Sequence, residues 1–245
     1  MGLPVSIHVR GPDARSTATA ALVGQAFAEL RRADELFSTY RADSEISRMG
    51  AGLLRPADAD PWVTEVLRLA DAAETVTEGL FSVRLPDPDG RPALDPSGIV
   101  KGWAAQRAFD LLRSAAGQDV CLNAGGDVVV STAGGGAPWR VGIERPGGHG
   151  LLGVLERGAG AVATSGTGAR GHHLVDPRDG SASDALTSMT VVGPSLLWAD
   201  VLATAAFVRG LDAVHWLQRF PGYSGISLDR SGHVTVSDGL LLLPA

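Results

Sequence analysis

A single cysteine, Cys121, is all that 245 residues provide, so no disulfide can form within the chain. It sits in an apolar run and is expected to be a buried strand residue. No run of about eighteen apolar residues occurs, which removes a membrane-spanning helix from consideration. The opening MGLPVSIHVRG has neither the basic head nor the apolar block of a secretion signal, and a cytoplasmic setting is expected. Basic runs are also missing. A formal net charge of -6 without any Lys/Arg cluster excludes nucleic acid as the main partner, because a phosphate backbone demands a basic patch. Phosphates on a small substrate must then be met locally, by one or two cations. Aromatic residues make up 5% of the chain, so a planar ligand finds few rings to stack on.

What is present suffices for a substantial core in one globular domain, since 44% of the residues are hydrophobic. Residues 3–10 alternate as a strand, and from Ser16 onward Val23, Ala26, Phe27, Leu30, Ala33 and Phe37 recur at helical spacing. Residues 38–60 read as a polar loop. Pro61 then opens a second helix whose buried face carries Val63, Val66, Leu67, Ala70 and Ala73, and Gly79 stops it. The stretch LPDPDGRPALDP, residues 85–96, holds four prolines and forms a turn-rich connection into a helix bearing Lys101. From residue 119 the texture changes. VCLNAGGDVVVS, WRVGIERP, GLLGVLERG and GAVATSG read as four short strands between glycine turns. A Gly-rich loop at 166–186 follows, then the strand SMTVVG, helices over 195–218 and two short strands around the Asp229 to Gly232 turn. Without strict βαβ alternation the class is α+β, with antiparallel sheets flanked by helices, a helix-rich half over 1–117 and a sheet-rich half over 118–245.

Two helix-compatible stretches carry chemistry. In WADVLATAAF, Asp200 and Thr204 are one turn apart, so their oxygens share a face where a hard cation could sit. The alternative is that Asp200 pairs with a lysine or arginine across the core while Thr204 back-bonds to its own helix. In DPSGIVKGWA, Lys101 interrupts an apolar pattern. In LNAGGDVVV, Asn123, Gly125, Gly126 and Asp127 break an apolar strand, either as a bulge where backbone approaches a ligand or as a tight turn. VATSG offers the Ser165 hydroxyl to a phosphate, or simply ends a strand. GHHLVDPRDG has adjacent histidines, only one of which can face a given site, and its spacing does not fit a structural zinc. Tyr40 lies in FSTYRADSEI, as a ring for a planar ligand or as the cover of a helix end.

Taken in order, FSTYRADSEIS, GLFS, DPSGIVKGWA, NAGGD, ATSG, HHLVDPRDG and ADVLAT resemble the motifs of the FAD:protein FMN transferase family, also called the ApbE flavin-transferase family. The resemblance spans almost the whole chain and implies a T-fold-related structure. It also implies an enzyme that binds FAD with Mg²⁺ and passes FMN to a Thr or Ser hydroxyl of an acceptor flavoprotein, releasing AMP. Carried onto this sequence, it gives the metal the Gly98 carbonyl, Asp200 and Thr204. It sets Lys101 against the FAD pyrophosphate and Asp95 near the nucleotide. Met1, Tyr40, Leu80, Phe81, Ser82 and Val175 would line the flavin and adenine pockets, and His173 would be the base for the acceptor hydroxyl. Ser82 stands where the family has an aspartate, Gly50 where it commonly has an asparagine, and Asp179 where it has a threonine. The alternatives are an FAD pyrophosphatase and a flavin-binding module without turnover.

Overall fold

Short polar side chains start four of the helices by taking up a free N–H group of the first turn. Ser16 Oγ accepts from Thr19 N at 3.1 Å and opens α1, Thr17–Phe37. Ser44 does the same for α2, Glu45–Gly50, a helix lying inside the stretch expected to be loop. Its six residues were too short to show a period, and only the cap marks it. Asp60 accepts from Trp62 N, with Pro61 at the first position of α3, Pro61–Val76. The end of α3 turns through left-handed backbone at Glu78 (φ 56°) and Gly79 (φ 79°). The Asp95 carboxylate accepts from Ser97 N at 2.9 Å where α4, Ser97–Arg113, begins. Helices α5, Leu196–Arg209, and α6, Ala213–Trp216, complete the set.

This computed structural model describes residues 2–86, 92–114, 117–134, 136–147, 150–167 and 175–245. Among them, no helix is long and apolar enough to cross a membrane. Strands β1 (Val5–Arg10), β4 (Asp119–Ala124), β5 (Asp127–Ser131), β8 (Ala159–Gly166), β9 (Leu186–Gly193), β10 (Ser224–Asp229) and β11 (Val234–Val236) form one antiparallel sheet in the order β1-β4-β5-β8-β9-β10-β11. Two hairpins stand apart: β2 (Arg84–Pro86) with β3 (Pro92–Leu94), and β6 (Trp139–Glu144) with β7 (Leu151–Arg157). VCLNAGGDVVVS is therefore two strands, β4 and β5, where one was expected. Ala124 pairs with Asp127 around a glycine turn, with Gly125 at φ 63° and Gly126 at φ 100°. Asn123 Oδ1 holds that turn by accepting from Gly126 N at 2.9 Å. The turn reading stands and the bulge reading falls.

The seven-stranded sheet is covered on both faces, which explains the unbroken Val128-Val129-Val130 run in β5. Val129, Ala161, Ala163, Met189 and Val191 join the core formed with α1, α3, α4 and α5. Their neighbours Val128, Val130, Val162 and Val192 join a second cluster with Val141, Ile143 and Leu155 of the β6–β7 hairpin. Cys121 packs at the edge of this second cluster and is half-buried, where full burial was expected. Its β4 position faces the thinner hairpin layer. The alternation of strand side chains puts Asp127, two residues from Val129, and Ser165, two from Ala163, on the helix-covered face.

Helices α4 and α5 approach closely at Gly102. A Cβ there would lie 3.0 Å from Asp200 Cβ and 3.1 Å from Leu196 O, both anchored to backbone. Gly102→Ala gains about 1 kcal/mol of helix propensity. Overpacking against neighbours that cannot rotate away costs about 1–3 kcal/mol and wins. Denaturant unfolding should show a net loss of up to roughly 2 kcal/mol, and a raised midpoint would contradict this packing.

Candidate active site

Three charged side chains meet where α4, α5 and β5 converge. Lys101 Nζ lies 2.5 Å from Asp127 Oδ2 and 3.1 Å from Asp200 Oδ1. Both carboxylates are buried. One ammonium against two carboxylates leaves the cluster with one formal negative charge. Removing one partner from a buried ion pair typically costs about 3–5 kcal/mol, so each residue here depends on the others. Lys101 is also the only lysine in the chain, every other basic residue being arginine or histidine. Its compact charge on a flexible stem fits between two carboxylates where a planar guanidinium would demand a fork of acceptors.

The electrostatics follow from burial. Desolvation pulls the Lys101 pKa down, but Asp200 and then Asp127 outweigh it, so the ammonium stays charged. Desolvation pushes the Asp200 carboxyl upward, Lys101 opposes that push and Asp127 adds to it. Asp127 is further fixed by accepting from Thr164 N at 3.0 Å. Oδ2 of Asp200 is buried without a hydrogen-bond partner, an orphaned acceptor in an apolar helix. One turn on, Thr204 is the half-buried position in an otherwise buried stretch of α5, and its hydroxyl shares a 3.0 Å hydrogen bond with Ser165 Oγ.

Of the two readings open for Asp200, pairing with a lysine across the core is present, whereas Thr204 bonds to Ser165 on β8 and not back to its own helix. Asp200 and Thr204, one turn apart on α5, and the Ser165 hydroxyl bonded to Thr204 nevertheless supply oxygens of the type hard cations take. No group of three or more His, Cys, Asp or Glu side chains capable of holding a metal occurs among the described residues. This excludes, for those residues, a closed cage of such ligands.

The other expected site residues divide. Gly98 lies one turn before Lys101 on α4 and packs on the Phe81 ring, 3.3 Å from where its Cβ would be. This joins the GLFS segment to the helix start. Gly79 lies against the aliphatic part of Arg178, which brings the DPRDG turn to the same side. Val175 is half-buried and bridges to Ala182. In that turn Arg178 is paired to Asp176 at 2.5 Å, and Asp179 Oδ1 accepts from Ser181 N. Ser82 Oγ bonds Glu74 and accepts from Arg84 N. Leu80 and Phe81, expected to line a ligand pocket, have their side chains closed into the core. Tyr40 is fully exposed and covers no helix end. Asn123, Gly125 and Gly126 shape the turn that delivers Asp127. Met1, His172 and His173 lie outside the described residues.

Two clefts are shaped elsewhere. One, of about 440 Å³, lies between the 181–185 segment and residues 207–212; the other, of about 390 Å³, lies at the far end of α4 beside Arg113 and Arg157. Neither contains the Lys101 cluster, and the convergence of buried charge outweighs concavity as a sign of chemistry. The role of Asp127 and the Ser165–Thr204 bond escaped sequence reasoning, although the unique lysine was a signal in plain view.

Comparison with known proteins bears on the family and the fold. The FAD:protein FMN transferase of Klebsiella pneumoniae (strain 342) is 26% identical over 267 residues, covering 86% of this chain and 81% of its own. That of Vibrio cholerae is 26% identical over 241 residues, with 74% and 71% covered. Among solved structures, the ApbE protein of Thermotoga maritima superposes with a TM-score of 0.81 at 22% identity, covering 97% of this chain and 94% of the other. The flavin transferase ApbE of Vibrio cholerae gives 0.80 at 23% identity, with 98% and 96% covered. These two likenesses establish the fold. The sequence profile of the ApbE family matches residues 1–87 and 84–226. With nearly the whole sequence and the fold in agreement, this chain belongs to the ApbE family.

Proposed function

We propose that the protein transfers the FMN half of FAD to a Thr or Ser hydroxyl of an acceptor flavoprotein, releasing AMP, with Mg²⁺ held by Asp200, Thr204 and the Gly98 carbonyl. The observation that carries this reading is the buried Asp127–Lys101–Asp200 cluster, which has more carboxylate than ammonium and an acceptor left orphaned on Asp200. A flavin-holding module has no use for such a cluster. Its construction costs desolvation that one ammonium against two carboxylates offsets only in part, and a cationic ligand would complete the balance.

When bound, the metal neutralises pyrophosphate charge and holds its oxygens in place for displacement. The chain's own residues do the rest. Asp200 and Thr204 project from one face of α5 and fix the cation side of the site. Lys101 brings a second positive charge to the pyrophosphate, which an acidic protein otherwise lacks. The acceptor oxygen attacks the FMN phosphorus, the bond from that phosphorus to the AMP oxygen breaks, and AMP departs with the electron pair. His173 takes the hydroxyl proton. Tyr40, with its exposed ring, offers a face for stacking on the flavin. The pyrophosphatase reading differs in one participant, water in place of the acceptor hydroxyl.

Incubation of the protein with FAD, Mg²⁺ and an acceptor, followed by mass measurement, should yield acceptor-bound FMN and AMP in equal amounts. Asp200→Asn should abolish this turnover at every Mg²⁺ concentration, and Thr204→Val should reduce it less. Free FMN with unmodified acceptor would establish hydrolysis, and equal activity of wild type and Asp200→Asn across a Mg²⁺ titration would remove the metal assignment.

His173→Gln should lower transfer about 10²-fold or more, the usual scale for a general base, while FAD affinity is nearly kept. His172→Gln is the internal control, because adjacent side chains on extended backbone point to opposite sides. A damaging His172→Gln, or silence of both changes, would move the base to another group.

A further inference from the structure

Lys101 is the ion that fills this site before any metal does. Its ammonium contacts Asp127 and Asp200, at 2.5 and 3.1 Å, and Asp200 belongs to the metal donor set proposed above. Coulomb repulsion between an ammonium on Asp200 Oδ1 and a divalent ion on Oδ2 of the same buried carboxylate disfavours holding both, so the two compete for Asp200. The stem of Lys101 is long and flexible, and its side chain is partly exposed, 24% against 2–3% for the carboxylates, so a path outward exists. The side of Asp200 toward α4 is closed by the Gly102 backbone, where an added Cβ would lie 3.0 Å from Asp200 Cβ and 3.1 Å from its Oδ2.

Resting on the function proposed above, we propose that Lys101 is a built-in competitor for the divalent cation: metal binding evicts its ammonium from between Asp127 and Asp200, and the evicted ammonium becomes the group that meets the substrate pyrophosphate. Metal and pyrophosphate binding are thereby coupled. Each favours the Lys101 position that the other needs, which is the condition for linkage between two ligands. Without a metal, the lysine keeps two buried carboxylates from facing each other unpaired.

Because Lys101 is the only lysine, its accessibility can be read directly in the wild-type protein. Amine acetylation analysed by mass spectrometry reports Lys101 and, as an internal reference, the chain's amino terminus. With Mg²⁺ binding followed in parallel by calorimetry, acetylation of Lys101 should be slow in the metal-free protein and rise at least fivefold when Mg²⁺ binds, the reference staying constant. Bound Mg²⁺ with unchanged Lys101 labelling would overturn the competitor role and leave the metal assignment intact. Absence of Mg²⁺ binding both with and without FAD would overturn both. A second arm separates occupancy from net charge, using Mn²⁺ as a spectroscopically visible stand-in. The double variant Lys101→Met/Asp127→Asn has the same formal cluster charge as wild type but no ammonium in the seat. It should bind Mn²⁺ at least tenfold more tightly than wild type in the absence of FAD. Equal or weaker binding would contradict the proposal.

Discussion

The architecture turns on one buried ion cluster, the Lys101 ammonium held between Asp127 and Asp200. Each member comes from a different element: α4, the start of β5 and the middle of α5. Two carboxylates and an ammonium in an apolar surround are tolerated only where geometry matches them, since the penalty for a charge left alone exceeds any single packing contribution. The cluster therefore constrains its surroundings. Gly102 must lack a side chain so that the helices close on Asp200, and the Asn123-held turn must deliver Asp127 at the first position of β5.

Strand parity connects the fold to the chemistry. A sheet covered on both faces forces each strand to divide its side chains between two cores, and the helix-side positions of β5 and β8 end in Asp127 and Ser165. Asp127 meets α4 and Ser165 meets α5. The polar residues at strand ends are thus carried to one place by the same alternation that builds the core. The hairpin β6–β7 takes no part in the cluster and shields the opposite face.

Local periodicity made the helix faces of α1 and α3 legible in the sequence, because Val63, Val66, Ala70 and Ala73 repeat with the turn of the helix itself. The one-turn spacing of Asp200 and Thr204 was legible for the same reason. What escaped was non-local or too short to repeat. The Ser165–Thr204 bond joins residues 39 apart, and no pattern within either segment announces the other. Asp127 read as part of a glycine turn because its partner sits on a helix that precedes it in the chain. Leu80 and Phe81 were assigned to a ligand surface by likeness to relatives. Both are closed into the core, and α4 packs across Phe81 at Gly98, a contact that only the assembled fold reveals.

The likenesses show the fold, and the proposed chemistry centres on the exchange of one cation for another at Asp200. The most direct measurement is a diffraction experiment on crystals of the protein soaked with Mn²⁺ and FAD, read by anomalous scattering. Cation exchange at Asp200 predicts an anomalous peak bonded to Asp200 and Thr204, with Lys101 Nζ withdrawn from Asp127 and turned toward the pyrophosphate. A metal bound away from Asp200, or a metal at Asp200 with Lys101 still seated between the two carboxylates, would contradict it.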